Sequence, residues 1–186
     1  MKQKLIGVVI LGVLLSVLLG FPFLANILPQ NSTKIEITKS SASPFFLKTQ
    51  TASTALVYFG YVGCTEICAP ALEDLAYHYN RSMKANTNGV AIYFVSLNPD
   101  IPNHQPDIFA KAFHSEFHGV YATAAQIEEL SKLYNIAIGD KDTASGHSSH
   151  LYLFVKTSNG YTLKNIFPTH PFPGEEIFTD IKKRLK

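Results

Sequence analysis

"YFGYVGCTEICAP", residues 58–70, decides how this chain is read. It begins inside an apolar run, "ALVYFGY" (55–61), passes Gly60 and Gly63, and ends on Pro70. It also holds the only two cysteines of the sequence, Cys64 and Cys68, with three residues between them. The run is continuous and β-rich, the pattern of a strand buried on both faces. Proline is tolerated in the first turn of a helix, so Pro70 predicts a helix start near Ala69. Leu72, Leu75, Ala76, Tyr79 and Met83 follow at helical spacing, and Asn88-Gly89 supplies a stop. The two thiols therefore belong to a strand-to-helix loop. Gly60, Gly63, Thr65 and Glu66 are poor neighbours for cysteines that merely pack, so a chemical role is expected of the pair.

Outward from that unit the chain alternates. "VAIYFVSL" (90–97) predicts a second buried strand. A loop with Pro99, Pro102 and Pro106 leads to a short helix over 107–113. Thr123 and Gln126 form a capping-box signature opening a helix over 124–135, with Ile127, Leu130 and Leu133 or Tyr134 inward. A Gly/Ser-rich loop precedes the strand "HLYLFVK" (150–156), and "TSNG" turns the chain into "YTLKNIF" (161–167). "GEEIFTDIKKRL" (174–185) is an amphipathic helix with basic residues in its last turn. The order β–α–β–α–α–β–β–α is α/β, parallel at its start and closed by an antiparallel hairpin and a helix. It suits a thioredoxin-like fold, a mixed central sheet flanked by helices.

The N-terminus has another character. Lys2 and Lys4 precede an apolar run from Leu5 to Ala25. Its 21 residues, as a helix, span roughly 30 Å, the thickness of a bilayer core. The expectation is a transmembrane anchor over residues 1–28, with a cleaved signal sequence as the alternative. The flanking lysines put the rest of the chain outside the cytoplasm, where disulfides persist. Residues 29–50, rich in Ser, Thr, Lys and Asn, read as a tether with one short strand at "KIEIT", and 51–186 as the folded domain. Of the 186 residues 46% are hydrophobic and the net charge is only +2, so no basic footprint points to nucleic acid. Two cysteines make neither a disulfide scaffold nor a four-cysteine zinc site.

A thiol pair at a helix N-terminus is favoured as an anion, and it can form a disulfide or hold a soft cation. Thiol–disulfide exchangers of this fold usually place two residues between the cysteines and a proline loop opposite them. Here the loop before the strand at 150–156 carries "GHSSH" (146–150), with His147 and no proline. Two thiolates and one imidazole suit copper: thiolates select Cu(I), and imidazole accommodates Cu(II). Zinc would want a fourth ligand or an open position.

These segments together resemble the Sco/SenC family, thioredoxin-like copper chaperones of cytochrome c oxidase assembly. The resemblance runs over roughly residues 55–165 in matching order: "YFGYVGCTEICAP", "FVSLNPD", "FAKAFHSEFHGV", "EELSKLYNI" and "GHSSHLYLF". It implies Cys64, Cys68 and His147 as copper ligands. It also implies an oxidase subunit or copper-site assembly factor as partner, and a single-pass inner-membrane protein whose domain faces the periplasm or an equivalent compartment. Such a protein is a metallochaperone rather than an enzyme; a thiol–disulfide oxidoreductase acting through Cys64 and Cys68 is the alternative. Where the family usually has Asp before its histidine this chain has Gly146, so an orienting carboxylate would have to come from Asp140 or Asp142.

Other candidates are weaker. His150 is a second possible imidazole ligand, although it begins a strand. His114 and His118, four apart, could pair on the surface, but solvated histidines are the plainer reading. Glu66 is a charge near the thiols. Tyr58, Phe59 and Tyr61 read as core and rim aromatics. Thr65, three before Cys68, matches a peroxidatic T-x-x-C, but Tyr61 stands where that motif has proline.

Overall fold

The computed structural model describes residues 34–38, 42–83, 89–140, 146–168 and 170–185. Their centre is a six-stranded mixed sheet. In chain order the strands are β1 (Ile35–Glu36), β2 (Thr54–Gly60), β3 (Val90–Ser96), β4 (Phe117–Val120), β5 (Leu151–Thr157) and β6 (Gly160–Phe167). The helices are α1 (Cys68–Met83), α2 (Gln105–Phe113), α3 (Ala124–Tyr134) and α4 (Gly174–Arg184). The strands lie in the order β1-β6-β5-β2-β3-β4. β2, β3 and β4 run parallel, whereas β5 is antiparallel to β2, β6 to β5 and β1 to β6.

All seven residues of β2 and all seven of β3 are buried, as two-sided coverage requires. The pleat sorts them. Leu56 and Tyr58 face one core with Leu72, Leu75 and Tyr79 of α1 and Phe178 of α4. Val57, Phe59 and Tyr61 face the other, with Ile127 and Leu130 of α3 and Leu47 from the N-terminal approach. α3 begins on the expected capping box: the Thr123 Oγ1 accepts from the Gln126 amide, and the Gln126 side chain accepts from the Thr123 amide. Tyr134 is its inward residue at the C-terminal end, and Leu133 is exposed.

Some of the pattern differs from the sequence reading. β4 was not expected: "FHGV" is short and carries a glycine, yet it pairs with β3 from Ile92–Phe117 to Val95–Val120. Gly119 lets it pass α2, since a Cβ there would sit 1.9 Å from the Pro106 carbonyl oxygen. The stretch expected as a tether packs in part against the domain. β1 pairs with β6, and a 3-10 turn at Phe45–Leu47 buries Leu47 completely. α1 ends at Met83, and Asn88 lies outside the described residues. So does the apolar run Leu5–Ala25, the expected span. Among the described residues no helix is long and apolar enough to cross a membrane.

Candidate functional site

The topology brings the two sequence signals to one place. β2 ends at Gly60, and its loop, Tyr61 to Ile67, leaves from the carboxyl ends of the parallel strands. β5 runs the other way, pairing Leu151 with Tyr58, so the segment entering β5 arrives at that same end. His147 is on that segment. Its Nε2 stands 3.7 Å from Cys68 Sγ. Cys68 comes from the α1 core and His147 from the other side, where its ring meets Tyr61 edge-on at 5.3 Å between centroids. Tyr61 is held in turn by its hydroxyl, which donates to the Ile138 carbonyl at 2.6 Å. The site therefore sits where the two faces of the sheet meet over the end of β2.

Gly60 makes the meeting possible. A Cβ at this position would be 2.6 Å from Cys68 Sγ. The loop is tied by Cys64 N–H donating to the Tyr61 carbonyl (3.2 Å) and Ala69 N–H to the Cys64 carbonyl (3.1 Å). Gly63 adopts φ +82°, the left-handed region that glycine enters at no cost.

The two thiols, both free, are not equivalent. Cys68 is fully buried. Burial pushes its thiol up to about 12, against the Tyr61 amide and with the Cys64 charge adding to the rise. Cys64 is half-buried and packs against both cores. Burial pushes its thiol up as well, but the amides of Cys68, Ile67 and Glu66 and the Cys68 thiol outweigh it and hold the group below its ordinary value. The anion-stabilising start of α1 thus serves the loop cysteine rather than the first residue of the helix.

The donors meet in pairs. Cys68 touches His147 and interacts with Cys64, so it is the common member. A separation of 3.7 Å suits two donors sharing one ion at metal–ligand distances of about 2.0–2.3 Å. Among the described residues no three His, Cys, Asp or Glu side chains converge closely enough to hold a metal ion as they stand. His150 turns elsewhere: its ring lies 6.1 Å from that of Tyr152, and burial lowers its basicity. His114 stacks on Tyr79 and Phe117 in one core while His118 stacks on Tyr93 of the other, so the two imidazoles do not converge. Glu66 and Thr65 are exposed on the loop. Asp140 raises the Tyr61 hydroxyl, second to burial; Asp142 lies outside the described residues.

Two residues close to the thiols escaped a reading of sequence. Tyr61 braces His147, and Tyr58 reaches toward Cys68. The sequence reading took both as core or rim aromatics, and nothing in a continuous apolar run distinguishes an aromatic that only packs from one whose edge meets a functional atom.

The family model described as SCO1/SenC matches residues 34–186. Protein SCO2, mitochondrial, of Saccharomyces cerevisiae is 25% identical over 149 residues, 74% of this chain and 44% of that protein. The chain thus spans less than half the length of this curated relative. Among solved structures, Arabidopsis thaliana ScoI with copper bound superposes with a TM-score of 0.60 at 18% identity, over 73% of this chain and 88% of that one. BsSco, described as a member of the Sco family of cytochrome c oxidase assembly proteins with a disulfide switch, gives 0.53 at 21% identity, over 70% and 79%. The mixed sheet flanked by helices is the fold these structures share.

Proposed function

The chain belongs to the SCO1/SenC family, and from that premise we propose that it is a copper-binding chaperone serving a cytochrome c oxidase copper site. Cys64, Cys68 and His147 bind the cargo, and residues 1–28 anchor the domain on the outer side of the cytoplasmic membrane or its equivalent. The observation that carries the reading is the contact between Cys68 Sγ and His147 Nε2, two donors from opposite sides of the sheet with Cys64 beside them. Copper supplies the affinity for soft sulfur donors. The chain supplies the rest. Cys64, half-exposed and readily ionised, is the first sulfur an incoming ion meets. Cys68 gives up its proton only when a cation compensates, because its own surroundings oppose the charge. His147 is braced by Tyr61, which limits the reorganisation needed to bring a third donor in.

A second reading, thiol–disulfide exchange, is favoured by the inequality of the thiols. Cys64 would attack a partner disulfide, forming a mixed disulfide and releasing one partner thiolate. Cys68 would then attack Cys64 Sγ and release the second partner sulfur, leaving the Cys64–Cys68 disulfide. One substitution separates the readings. His147→Ala should weaken Cu(II) binding on the order of 10- to 100-fold or more and remove the thiolate-to-copper absorption, because even the loss of groups behind a ligand costs that much. It should leave the Cys64–Cys68 potential nearly unchanged, and His150→Ala should do much less to copper. Parent-like Cu(II) binding by His147→Ala, with loss in His150→Ala, would reassign the ligand. No copper effect from either, with both cysteines needed to reduce a partner, would leave exchange as the function.

A further inference from the structure

Tyr58 is fully buried on β2; its hydroxyl makes no hydrogen bond to a nitrogen or oxygen, and the polar group beside it is the Cys68 thiol. A buried hydroxyl left this way is costly, so its retention calls for an explanation. Its surroundings supply one. The space above Gly60 is shared: a Cβ built there would meet Cys68 Sγ at 2.6 Å and Tyr58 Cε1, the carbon next to the one bearing the hydroxyl, at 3.2 Å. The polar edge of the phenol and the sulfur therefore face each other across a glycine. Phe172 packs on the Tyr58 ring edge-on, centroids 6.2 Å apart, and fixes the direction of that edge. The hydroxyl of Tyr152 is no parallel: it lies beside Ser148, and its ring packs against Phe59 and His150, in the other core.

We propose that Tyr58 is a positioning residue whose hydroxyl closes onto the Cys68 sulfur as a hydrogen-bond donor in the reduced chain, and most strongly when that sulfur carries negative charge, in exchange or in copper coordination. A phenol donates well to a thiolate, modestly to a thiol and poorly to a disulfide sulfur. Disulfide formation draws Cys68 Sγ toward Cys64, so the hydroxyl favours the reduced pair. In a copper complex the same donor withdraws electron density from the thiolate, and hydrogen bonding around such a sulfur tunes the metal. The copper part rests on the chaperone reading; the redox part does not.

The test is Tyr58→Phe in the full chain, equilibrated with reduced and oxidised glutathione. Each oxidation passes two electrons and two protons from the thiols of Cys64 and Cys68 to glutathione disulfide, forming one protein disulfide and two glutathione thiols. The equilibrium constant for forming the protein disulfide should rise roughly 2- to 10-fold, the worth of one modest hydrogen bond. The melting temperature of the reduced protein should fall relative to that of the oxidised protein, because the hydrogen bond is lost only from the reduced state. With Cu(II) added, the thiolate-to-copper band should move to lower energy at unchanged stoichiometry. Tyr152→Phe should change neither the equilibrium nor the band. An unaltered glutathione equilibrium in folded Tyr58→Phe overturns the proposal, as does a lower melting temperature with no redox shift, the sign of a purely structural role. If the parent binds no copper the chaperone reading fails, while the glutathione measurement still decides on Tyr58. If Tyr58→Phe does not fold, hydroxyl-proton exchange of Tyr58 in the parent takes its place. Slower exchange in the reduced than in the oxidised chain supports the contact, and equal exchange refutes it.

Discussion

Cys64 and Cys68 are four positions apart, yet they belong to two regions with opposite electrostatics. Cys64 sits on a loop whose turning amides point at its sulfur. Cys68 opens a helix, but its side chain is carried inward to the floor of the core, beneath Gly60 and beside Tyr58. Helix termini are usually credited with stabilising the anion of the residue that begins them. Here the residue before the helix collects that benefit, and the residue inside it pays the desolvation. Proximity to a helix start thus matters less than which way the side chain leaves the backbone. The arrangement gives one thiol that reacts and one that waits.

The sharpest way to break this comparison is to measure both thiols in one experiment. Cys68 is pushed up to about 12, and Cys64 is held below the ordinary thiol value near 9. Around pH 8 the thiolate populations then differ on the order of a thousandfold. The less basic thiolate is intrinsically slower, which gives back about 20-fold. Burial of Cys68 works in the same direction as the population. Alkylation of the reduced chain by iodoacetamide, followed by peptide mass spectrometry, should label Cys64 faster by at least roughly 50-fold. Equal rates would erase the distinction.

The same asymmetry has a stability consequence on the alkaline side. A thiol whose folded value lies above its unfolded one contributes stability that is complete below the unfolded value. That stability is lost as pH climbs toward the folded value. For Cys68 the window runs from about 9 to about 12. Tyr152 and Tyr161, pushed up to about 12 by burial, join only above the unfolded tyrosine value near 10. Between pH 9 and 10 the reduced chain should therefore lose up to about 1.4 kcal/mol per pH unit through Cys68. Urea unfolding across that interval should show the slope in the parent. It should be absent from Cys68→Ala and from the oxidised chain. An identical slope in all three would place the burden elsewhere.

How much of this was legible beforehand follows from the same contrast. The strand, the turn glycines, the proline at the helix start and the capping box at Thr123 are local signals, and each produced its element. That the loop of His147 would face the thiols came only from analogy with the thioredoxin-like fold; the antiparallel pairing of β5 with β2 supplies the physical reason. What could not be read was side-chain direction at close range. Nothing in "GCTEIC" says that Cys68 turns inward while Cys64 faces the amides, or that Tyr58 aims its hydroxyl across Gly60. β4 was missed for a related reason: "FHGV" has weak strand character, and tertiary pairing with β3 overrides it.

The two glycines of the motif put the comparison at its finest scale, one for each thiol. Gly60 and Gly63 are three residues apart and would be equivalent on a consensus of turn residues. Gly60 is small because of packing: its Cβ would strike Cys68 Sγ at 2.6 Å and press on Phe94 Cε2 and Tyr58 Cε1 at 3.2 Å each. Gly63 is small because of backbone conformation: φ is +82° and nothing lies within 4 Å of an added Cβ. Gly60→Ala should cost about 1–3 kcal/mol, as overpacking does. It should also shift the Cys64–Cys68 disulfide equilibrium, since the cheapest relief is to move the Cys68 sulfur. Gly63→Ala should cost about 1 kcal/mol, the usual penalty for an L-residue in the left-handed region, and leave that equilibrium alone, because the added methyl points into open space. Denaturant midpoints give the first quantity and glutathione titration the second. If Gly63→Ala moves the disulfide equilibrium as far as Gly60→Ala does, the loop and the core floor act on both sulfurs alike. The division between a reactive thiol and a waiting one would then have to be abandoned.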